Sequence, residues 1–552
     1  MKKNGIYEGT VTEVRFPNKG VVCTPEGNVT VKNVLPGQTI SFILTKKKND
    51  RLEGRLLEVL KKSPMEVESS CPHFGECGGC IYRKLPYEEE LKIKDSQVKK
   101  ILDRAIDGDY IYEGITPSPE NEGYRNKMEY SFGNEVIDGP LTLGMHRAGR
   151  FNDVVTVDGC VIADGDYRLV IRKTLDFFLE RKIPFYRKHD EKGYLRHLLV
   201  RKGKKSGEIL LLIETTTQLD FDMGEYADML ISLEKNGLEG RFAGILHLKN
   251  DNTGDSVKGE NIDILYGRDH FYDEVLGLKF RITPFSFFQT NTLGAEKLYL
   301  KAREYALSLI DEGEKGVIFD LYSGTGTIGQ IMSEAASKVI GIEIVEEAVE
   351  AAKENAEMNG LDNTVFLAGD VLKTLESVEE KPDLIILDPP RDGCAPKALS
   401  KILDYGVKNI IYISCKITSL ERDLKPIQEA GYSVVRAAAV DMFPGTGGVE
   451  TVCLLSKLSS AKHHIEINVD MDELDLTSAE AKATYKEIEE WVRNKYGFHV
   501  TNLNIAQVKQ KHGIIERENY NKPKSPDSKQ PGCPEEKVKA IEDAMRHFQM
   551  IE

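Results

Sequence analysis

The sequence predicts an α/β multidomain protein in four parts: a small β-barrel over residues 1–62, a β-rich central domain over 63–280, a doubly wound α/β domain over 281–458 and a small α+β extension over 459–552. Three observations predict it. At 552 residues the chain is far longer than one hydrophobic core accommodates, so several domains are required. From residue 313 to 456 short apolar strands alternate with helical segments, the pattern of a sheet with helices on both faces. Within that stretch residues 319–329, Phe-Asp-Leu-Tyr-Ser-Gly-Thr-Gly-Thr-Ile-Gly, read as strand, tight turn and helix. Such a turn opens a mononucleotide-binding unit, because glycine lets the backbone approach a ligand that a Cβ would hold off.

Composition excludes several function classes. Forty per cent hydrophobic and thirty per cent charged residues describe an ordinary globular chain. No apolar h-region follows Met1-Lys2-Lys3, and no apolar run approaches the ~20 residues that span a bilayer, so the expectation is a cytoplasmic protein without membrane contact. Nine cysteines in a chain this long are not a disulfide scaffold, and clustered cysteines in a reducing compartment more often bind metal. A net charge of −15 opposes wrapping of nucleic acid by a uniformly basic surface. Residues 1–70 nevertheless carry 12 Lys+Arg against 8 Asp+Glu, and local patches decide RNA contact.

The elements follow in order. Alternating segments at 7–14, 20–23, 29–34, 39–44 and 51–60, with turns at Pro17-Asn18-Lys19-Gly20 and Pro36-Gly37, give five short strands and an OB-like barrel. With its basic loops this stretch resembles a TRAM domain, an RNA-binding module of RNA-modifying enzymes. Next stands Cys71-Pro-His-Phe-Gly-Glu-Cys77-Gly-Gly-Cys80, a C-x5-C-x2-C group for which Cys160 is a fourth candidate ligand. Thiolates suit zinc or an iron–sulfur cluster, and spacing alone does not separate them. Residues 87–106 read as an amphipathic helix with Leu91, Ile93, Val98, Ile101 and Leu102 on its apolar side. Residues 124–132 pair naturally with 141–147, and 195–201 with 207–212; the alternation places Arg125, Lys127, His146, Arg147, Arg196 and Arg201 on exposed faces, where as a group they would clamp phosphates. Strands of the α/β domain are expected at 317–321, 338–342, 364–367, 383–387, 409–414, 433–440 and 451–455, with a helix from 345 to 358 closed by Asn359-Gly360. The tail opens with the linker-like 459–464, then a helix over 478–496 carrying the single tryptophan, Trp491; it shows no motif with chemistry.

Strand ends carry the candidate chemistry. The second strand ends at Glu343, placed to bind ribose hydroxyls, and the third at Gly369-Asp370, where a carboxylate meets an adenine amino group. The fourth ends in Asp388-Pro-Pro-Arg391. These acids, without a pyrophosphate grip or a Gly-x-Gly-x-x-Gly spacing, suggest S-adenosylmethionine rather than NAD. The fifth strand delivers Cys415 to the same edge, a nucleophile if its thiolate is stabilised. A flexible loop, Asp441-Met-Phe-Pro-Gly-Thr-Gly-Gly-Val-Glu450, then places Glu450 as a general base.

Together Ser286-Phe-Phe-Gln289-Thr-Asn291, Asp320-Leu-Tyr-Ser-Gly-Thr-Gly, Asp388-Pro-Pro-Arg, Ser414-Cys415 and Val449-Glu450 resemble the class I S-adenosylmethionine-dependent RNA (uracil-5-)-methyltransferase family, specifically its TRAM-bearing 23S ribosomal RNA branch. The resemblance covers residues 1–458. It implies a Rossmann-like methyltransferase domain in which Gln289, Asp320, Tyr322, Gly324, Glu343, Asp370 and Asp388 bind or shape the cofactor pocket. It also implies Cys415 as nucleophile, Glu450 as base, and Cys71, Cys77, Cys80 and Cys160 as ligands of a [4Fe-4S] cluster. The implied partner is 23S ribosomal RNA, acted on by a monomer. C5 of uracil is a poor nucleophile until a thiolate adds at C6, and a base must then remove the C5 proton; a target inside folded RNA must be splayed out, and Phe287 or Phe443 is placed to stack on it. The chain departs from the family pattern in Lys416-Ile417 after the nucleophile, and in Gly445 and Gly448 where histidines are usual. Transfer RNA as substrate, and a non-catalytic RNA-binding redox sensor built on barrel and cysteines, are the competing expectations.

Overall fold

A computed structural model describes residues 1–48, 51–254, 257, 261–309, 315–457, 485–512, 533–548 and 550–551. The chain divides into two compact units, Met1–Ala461 and Lys462–Glu552.

In the first unit β1 (Ile6–Arg15), β2 (Lys19–Thr24), β3 (Gly27–Lys32), β4 (Thr39–Lys48) and β5 (Arg51–Lys61) close a barrel in the order β1-β2-β3-β5-β4. Alternate residues such as Val29, Val31, Ile40, Phe42 and Leu44 point inward and fill it. Closure leaves no strand edge unpaired, so a barrel this small is self-contained.

Helix α1 (Tyr87–Ala105) follows, and its buried face departs from the sequence expectation. Val98, Ile101 and Leu102 are buried as expected, but in the first half Glu90, Lys94 and Gln97 are buried while Leu91 and Ile93 are only half-buried. Polar partners, not apolar ones, receive that half. Strand β6 (Ile111–Thr116) then lies parallel to a strand more than three hundred residues later and forms the edge of the largest sheet.

The central sheet contains β7 (Lys127–Gly133), β8 (Thr142–Arg147) and β9 (Arg150–Thr156), then, beyond helix α2 (Gly165–Glu180), β10 (Leu195–Lys202) and β11 (Glu208–Thr215). After α3 (Gly224–Ser232) come β12 (Arg241–Lys249) and β13 (Ile262–Gly267), giving the order β13-β12-β11-β10-β7-β8-β9. The expected pairings of 124–132 with 141–147 and of 195–201 with 207–212 are present as antiparallel ladders. Of the basic residues expected on exposed faces, Arg125, Lys127, His146 and Arg147 are half-buried and two are fully buried. Arg196 and Arg201 are 3% and 1% exposed, because both faces of β10 are covered. Arg201 donates to the carbonyls of Thr283 (2.8 Å) and Ser286 (2.8 Å), and Arg196 to those of Asn250 (2.8 Å) and Asn252 (2.6 Å). These guanidinium groups organise turns rather than meeting phosphate.

A hairpin of β14 (Phe271–Val275) and β15 (Leu278–Ile282) and helix α4 (Thr292–Leu307) lead into the doubly wound domain. Its elements are β16 (Val317–Leu321), α5 (Thr327–Met332), β17 (Lys338–Glu343), α6 (Glu346–Met358), β18 (Thr364–Ala368), α7 (Val371–Ser377), β19 (Leu384–Leu387), α8 (Pro396–Asp404), β20 (Asn409–Ser414), α9 (Ile417–Glu429), β21 (Tyr432–Val440) and β22 (Glu450–Lys457). The sheet order is β18-β17-β16-β19-β20-β22-β21-β6, with β22 antiparallel to both neighbours. The order reverses beside β16, the switch point at which open α/β sheets leave a crevice beyond the strands' carboxyl ends.

The second unit's described residues are three helices, α10 (Tyr485–Tyr496), α11 (Asn502–Lys511) and α12 (Glu535–His547), packed around Ile488, Val492, Ile505, Val508, Ile541 and Ala544. The expected linker at 459–464 and the first part of the expected helix at 478–496 lie outside the described residues, and so does any β structure of the expected α+β extension. Among the described residues no helix is long and apolar enough to cross a membrane.

Candidate active site

The glycine loop is built by its strands. At the end of β16 the amides of Tyr322 and Ser323 both donate to the Ile342 carbonyl of β17, at 3.0 and 3.1 Å, which turns the chain sharply. Tyr322, Gly324 and Gly326 take φ values of 68, 54 and 74°. A left-handed tyrosine is strained by about 1–2 kcal/mol, and such strain collects at functional sites. Glu343 spans the loop, accepting from the Gly324 amide (3.1 Å) with one oxygen and the Val345 amide (3.0 Å) with the other. Asp320 is fully buried and accepts from the Gly329 amide at 2.8 Å. Its second oxygen and the Ser323 hydroxyl have no hydrogen-bond partner among the described residues. Gly326 packs against Phe366 and Ala352, whereas a Cβ on Gly324 would project into open space. Unpartnered polar atoms beside that space are the features a small polar ligand would complete. Asp370 caps α7, accepting from the Leu372 amide at 3.1 Å, and is exposed. Gly324→Val, with its side chain in that open space, should therefore lower stability by only about 1–2 kcal/mol, the left-handed strain alone, in a denaturant titration.

Three strands deliver the candidate reactive groups to the same edge. Leu387 pairs with Tyr412 in the parallel β19–β20 ladder, so Asp388 leaves β19 beside the end of β20. In the antiparallel β20–β22 ladder Ser414 pairs with Thr451. Cys415 and Glu450 are therefore the next facing positions, one step beyond the last pair. Electrostatics confirm the convergence. Burial pushes the Cys415 thiol up to about 11, the carboxylates of Glu450 and Asp388 act in the same direction, and the Arg391 guanidinium opposes them. Burial and then Asp388 raise Glu450 to about 8, again with Arg391 opposing. Burial alone raises Asp388 to about 7; burial and then Asp388 raise Asp320 to about 8. Bringing a cation to these carboxyls would lower all of them and favour the thiolate.

Sequence reasoning missed one member of this group. Tyr299, buried on α4, faces Asp388, Glu450 and Asp320, and Gln289 lies within reach of its hydroxyl. In the sequence it reads as an apolar helix position. Gln289 is held in turn by Asn126 next to β7, whose side chain donates to the Gln289 carbonyl (2.8 Å) and the Thr292 hydroxyl (2.9 Å). Phe287 is 66% exposed, and Phe443 is half-buried.

The expected [4Fe-4S] ligand set fares differently. Cys71, Cys77 and Cys80 are half-buried and Cys160 is buried, and each of Cys77, Cys80 and Cys160 feels the charge of others in the set. Yet among the described residues no three His, Cys, Asp or Glu side chains stand close enough to hold a metal ion. Burial raises the thiols of Cys77, Cys80 and Cys160, that of Cys80 to about 12. Side-chain geometry does not support the cluster.

Residues 312–431 match the family model described as a methyltransferase domain. The chain is 47% identical over 457 residues to an uncharacterized RNA methyltransferase of Caldanaerobacter subterraneus subsp. tengcongensis, covering 83% of this chain and 100% of that protein. It is 44% identical over 453 residues to one of Clostridium tetani, covering 82% and 98%. Among solved structures it resembles Pyrococcus abyssi tRNA (uracil-54, C5)-methyltransferase in complex with S-adenosyl-L-homocysteine, with a TM-score of 0.64 and 25% identity over 81% of this chain and all of that one. A glycine loop with unpartnered polar atoms, on a fold shared with a protein that binds S-adenosyl-L-homocysteine, and relatives 44–47% identical over more than four-fifths of the chain lead to one conclusion: the chain belongs to the S-adenosylmethionine-dependent RNA methyltransferase family.

Proposed function

We propose that this chain methylates C5 of uridine in RNA through a covalent bond between Cys415 and C6 of the base. The observation that carries it is the facing placement of Cys415 and Glu450 at the end of the β20–β22 ladder, on the sheet edge that also carries the glycine loop after β16. When bound, S-adenosylmethionine supplies an electrophilic methyl group; Gln289, Asp320, Tyr322, Gly324, Glu343, Asp370 and Asp388 would hold it. Cys415 adds to C6 as the thiolate, which makes C5 electron-rich. Arg391 opposes the pKa rise of both reactive groups and so favours their ionised forms. Glu450 takes the C5 proton after methylation, and the thiolate leaves. Burial makes the ionised Glu450 a stronger proton acceptor than a free carboxylate, and positive charge beside it, as Arg391 supplies, shifts it toward that ionised form. Exposed Phe287 offers a ring on which a splayed base stacks.

For the substrate we propose 23S ribosomal RNA, supported by the five-stranded barrel with its Lys46-Lys47-Lys48 run. The structural likeness to a tRNA (uracil-54, C5)-methyltransferase favours transfer RNA as the second reading. Incubating purified protein and labelled S-adenosylmethionine with each RNA, then digesting to nucleosides, separates them. Label in 5-methyluridine from ribosomal RNA is the expected result. Label from transfer RNA alone overturns the substrate, and label in any other nucleoside overturns the chemistry.

A further inference from the structure

Residues 441–449 join β21 to β22, and Glu450 pairs directly with Val440 across that hairpin. The loop contains Gly445, Gly447 and Gly448, so its composition gives it little stiffness of its own. Stiffness comes from outside. Lys94, fully buried on α1, donates to Glu90 Oε1 at 2.7 Å, to Asp441 Oδ1 at 2.8 Å and to the Phe443 carbonyl at 3.2 Å. Three acceptors meet the three protons of the ammonium. Glu90 Oε1 also accepts from the Gly445 amide at 2.7 Å. The Gly445 carbonyl accepts from the amides of Ile81 (2.7 Å) and Tyr82 (2.9 Å). The Tyr124 hydroxyl donates to the Pro444 carbonyl (2.9 Å), and Asn291 Nδ2 to the Met442 carbonyl (3.0 Å). Every residue from 441 to 445 is thus tied to an element outside the hairpin. Gly445 itself stands at φ 83°, and a Cβ there would meet Arg83 Nε at 2.5 Å.

A buried ammonium between two carboxylates is no more stabilising than apolar packing of the same volume, so its presence calls for a use in specifying geometry. We propose that Lys94, clasping Glu90 and Asp441, is a positioning residue that fixes the β21–β22 loop against α1 and so sets the reach of Glu450 to the C5 proton. This rests on the covalent reading above. In the step concerned Glu450 takes the C5 proton. The C5–H electron pair becomes the C5–C6 double bond, and the S–C6 bond breaks with its pair returning to Cys415. Cys415 follows β20, whereas the ammonium of Lys94 meets α1 and the β21–β22 loop. A displaced loop therefore slows proton removal and leaves the methylated adduct standing.

The test uses the full-length protein with ordinary uridine RNA and S-adenosylmethionine, following the RNA adduct on denaturing gels alongside steady-state rates. Lys94→Met should lower kcat at least about tenfold, leave both KM values unchanged and accumulate adduct; Tyr124→Phe, which loosens the same loop without touching a charge, should do so a few-fold. Loss of kcat in Lys94→Met without adduct accumulation overturns the proposal. If Lys94→Met does not fold, Tyr124→Phe decides: adduct above the wild-type level supports the proposal, and a wild-type level overturns it. Failure of the wild-type protein to trap 5-fluorouridine RNA is a separate outcome and removes the covalent reading itself.

Discussion

Cys415→Ala should abolish uridine methylation, lowering turnover by at least about 10³-fold, while binding S-adenosylhomocysteine as the wild-type protein does. The asymmetry follows from position. Cys415 leaves β20 on the side of Glu450, whereas the glycine loop is built by β16 and β17 from Asp320, Gly324 and Glu343. Without the sulfur no bond forms at C6, and C5 stays too poor a nucleophile to take a methyl group. RNA bearing 5-fluorouridine supplies the second readout, because fluorine cannot be removed as a proton and the adduct is trapped. The wild-type protein should run with the RNA on a denaturing gel, and Cys415→Ala should not. Retained turnover in Cys415→Ala would falsify the covalent mechanism.

Glu450→Gln should stop the reaction later and change stability as well. Thiolate addition survives, proton removal does not, and methylated adduct should accumulate on ordinary uridine RNA with release slowed at least about 10²-fold. The stability effect comes from the raised carboxyl. Glu450 titrates near 8 in the folded protein against 4.5 for the free group, burial being the main cause. The folded chain therefore holds a proton that the unfolded chain releases. Its contribution to stability is fully present below about pH 4.5 and is lost as pH rises toward 8. Glutamine does not titrate, so the stability of Glu450→Gln should fall less than that of the wild type between pH 5 and 9, by a difference on the order of 4 kcal/mol that denaturant titrations at the two pH values read. Parallel pH profiles of the two proteins would sink this account. Asp388 and Asp320 are raised in the same sense and are common to both proteins. An active site that concentrates buried acids gives up stability for proton transfer near neutral pH.

Some of this was legible because it is local. The period-2 apolar pattern of the barrel strands, the strand–glycine–helix order at 317–332 and the acids at successive strand ends each occupy a few consecutive residues. The doubly wound topology then dictates that all such ends meet at one edge. Where the sequence misled, the deciding partner was remote. Arg196 and Arg201 alternate like exposed strand residues, yet acceptors in loops at 250–254 and 283–286 draw them inside. Leu91 and Ile93 carry the apolar residues of α1, yet Glu90 and Lys94 are buried because Asp441 waits some 350 positions away. The cysteine spacing suggested a four-thiolate centre, and spacing fixes only that the thiols are near, not how far apart the sulfurs stand.

By itself the sequence determined the order of barrel strands, strand-rich middle and doubly wound sheet, and singled out the glycine loop, Cys415 and Glu450 as candidates. These depend on side-chain period and on glycine, which act within a turn or two of chain. Only the tertiary structure decided that Cys415 and Glu450 face each other, that Tyr299 and Arg391 share their surroundings, and that a glycine-rich loop is held firm by an ion cluster on α1. Those facts depend on ladder register and on the burial of charge, and both are settled by residues that no local pattern connects.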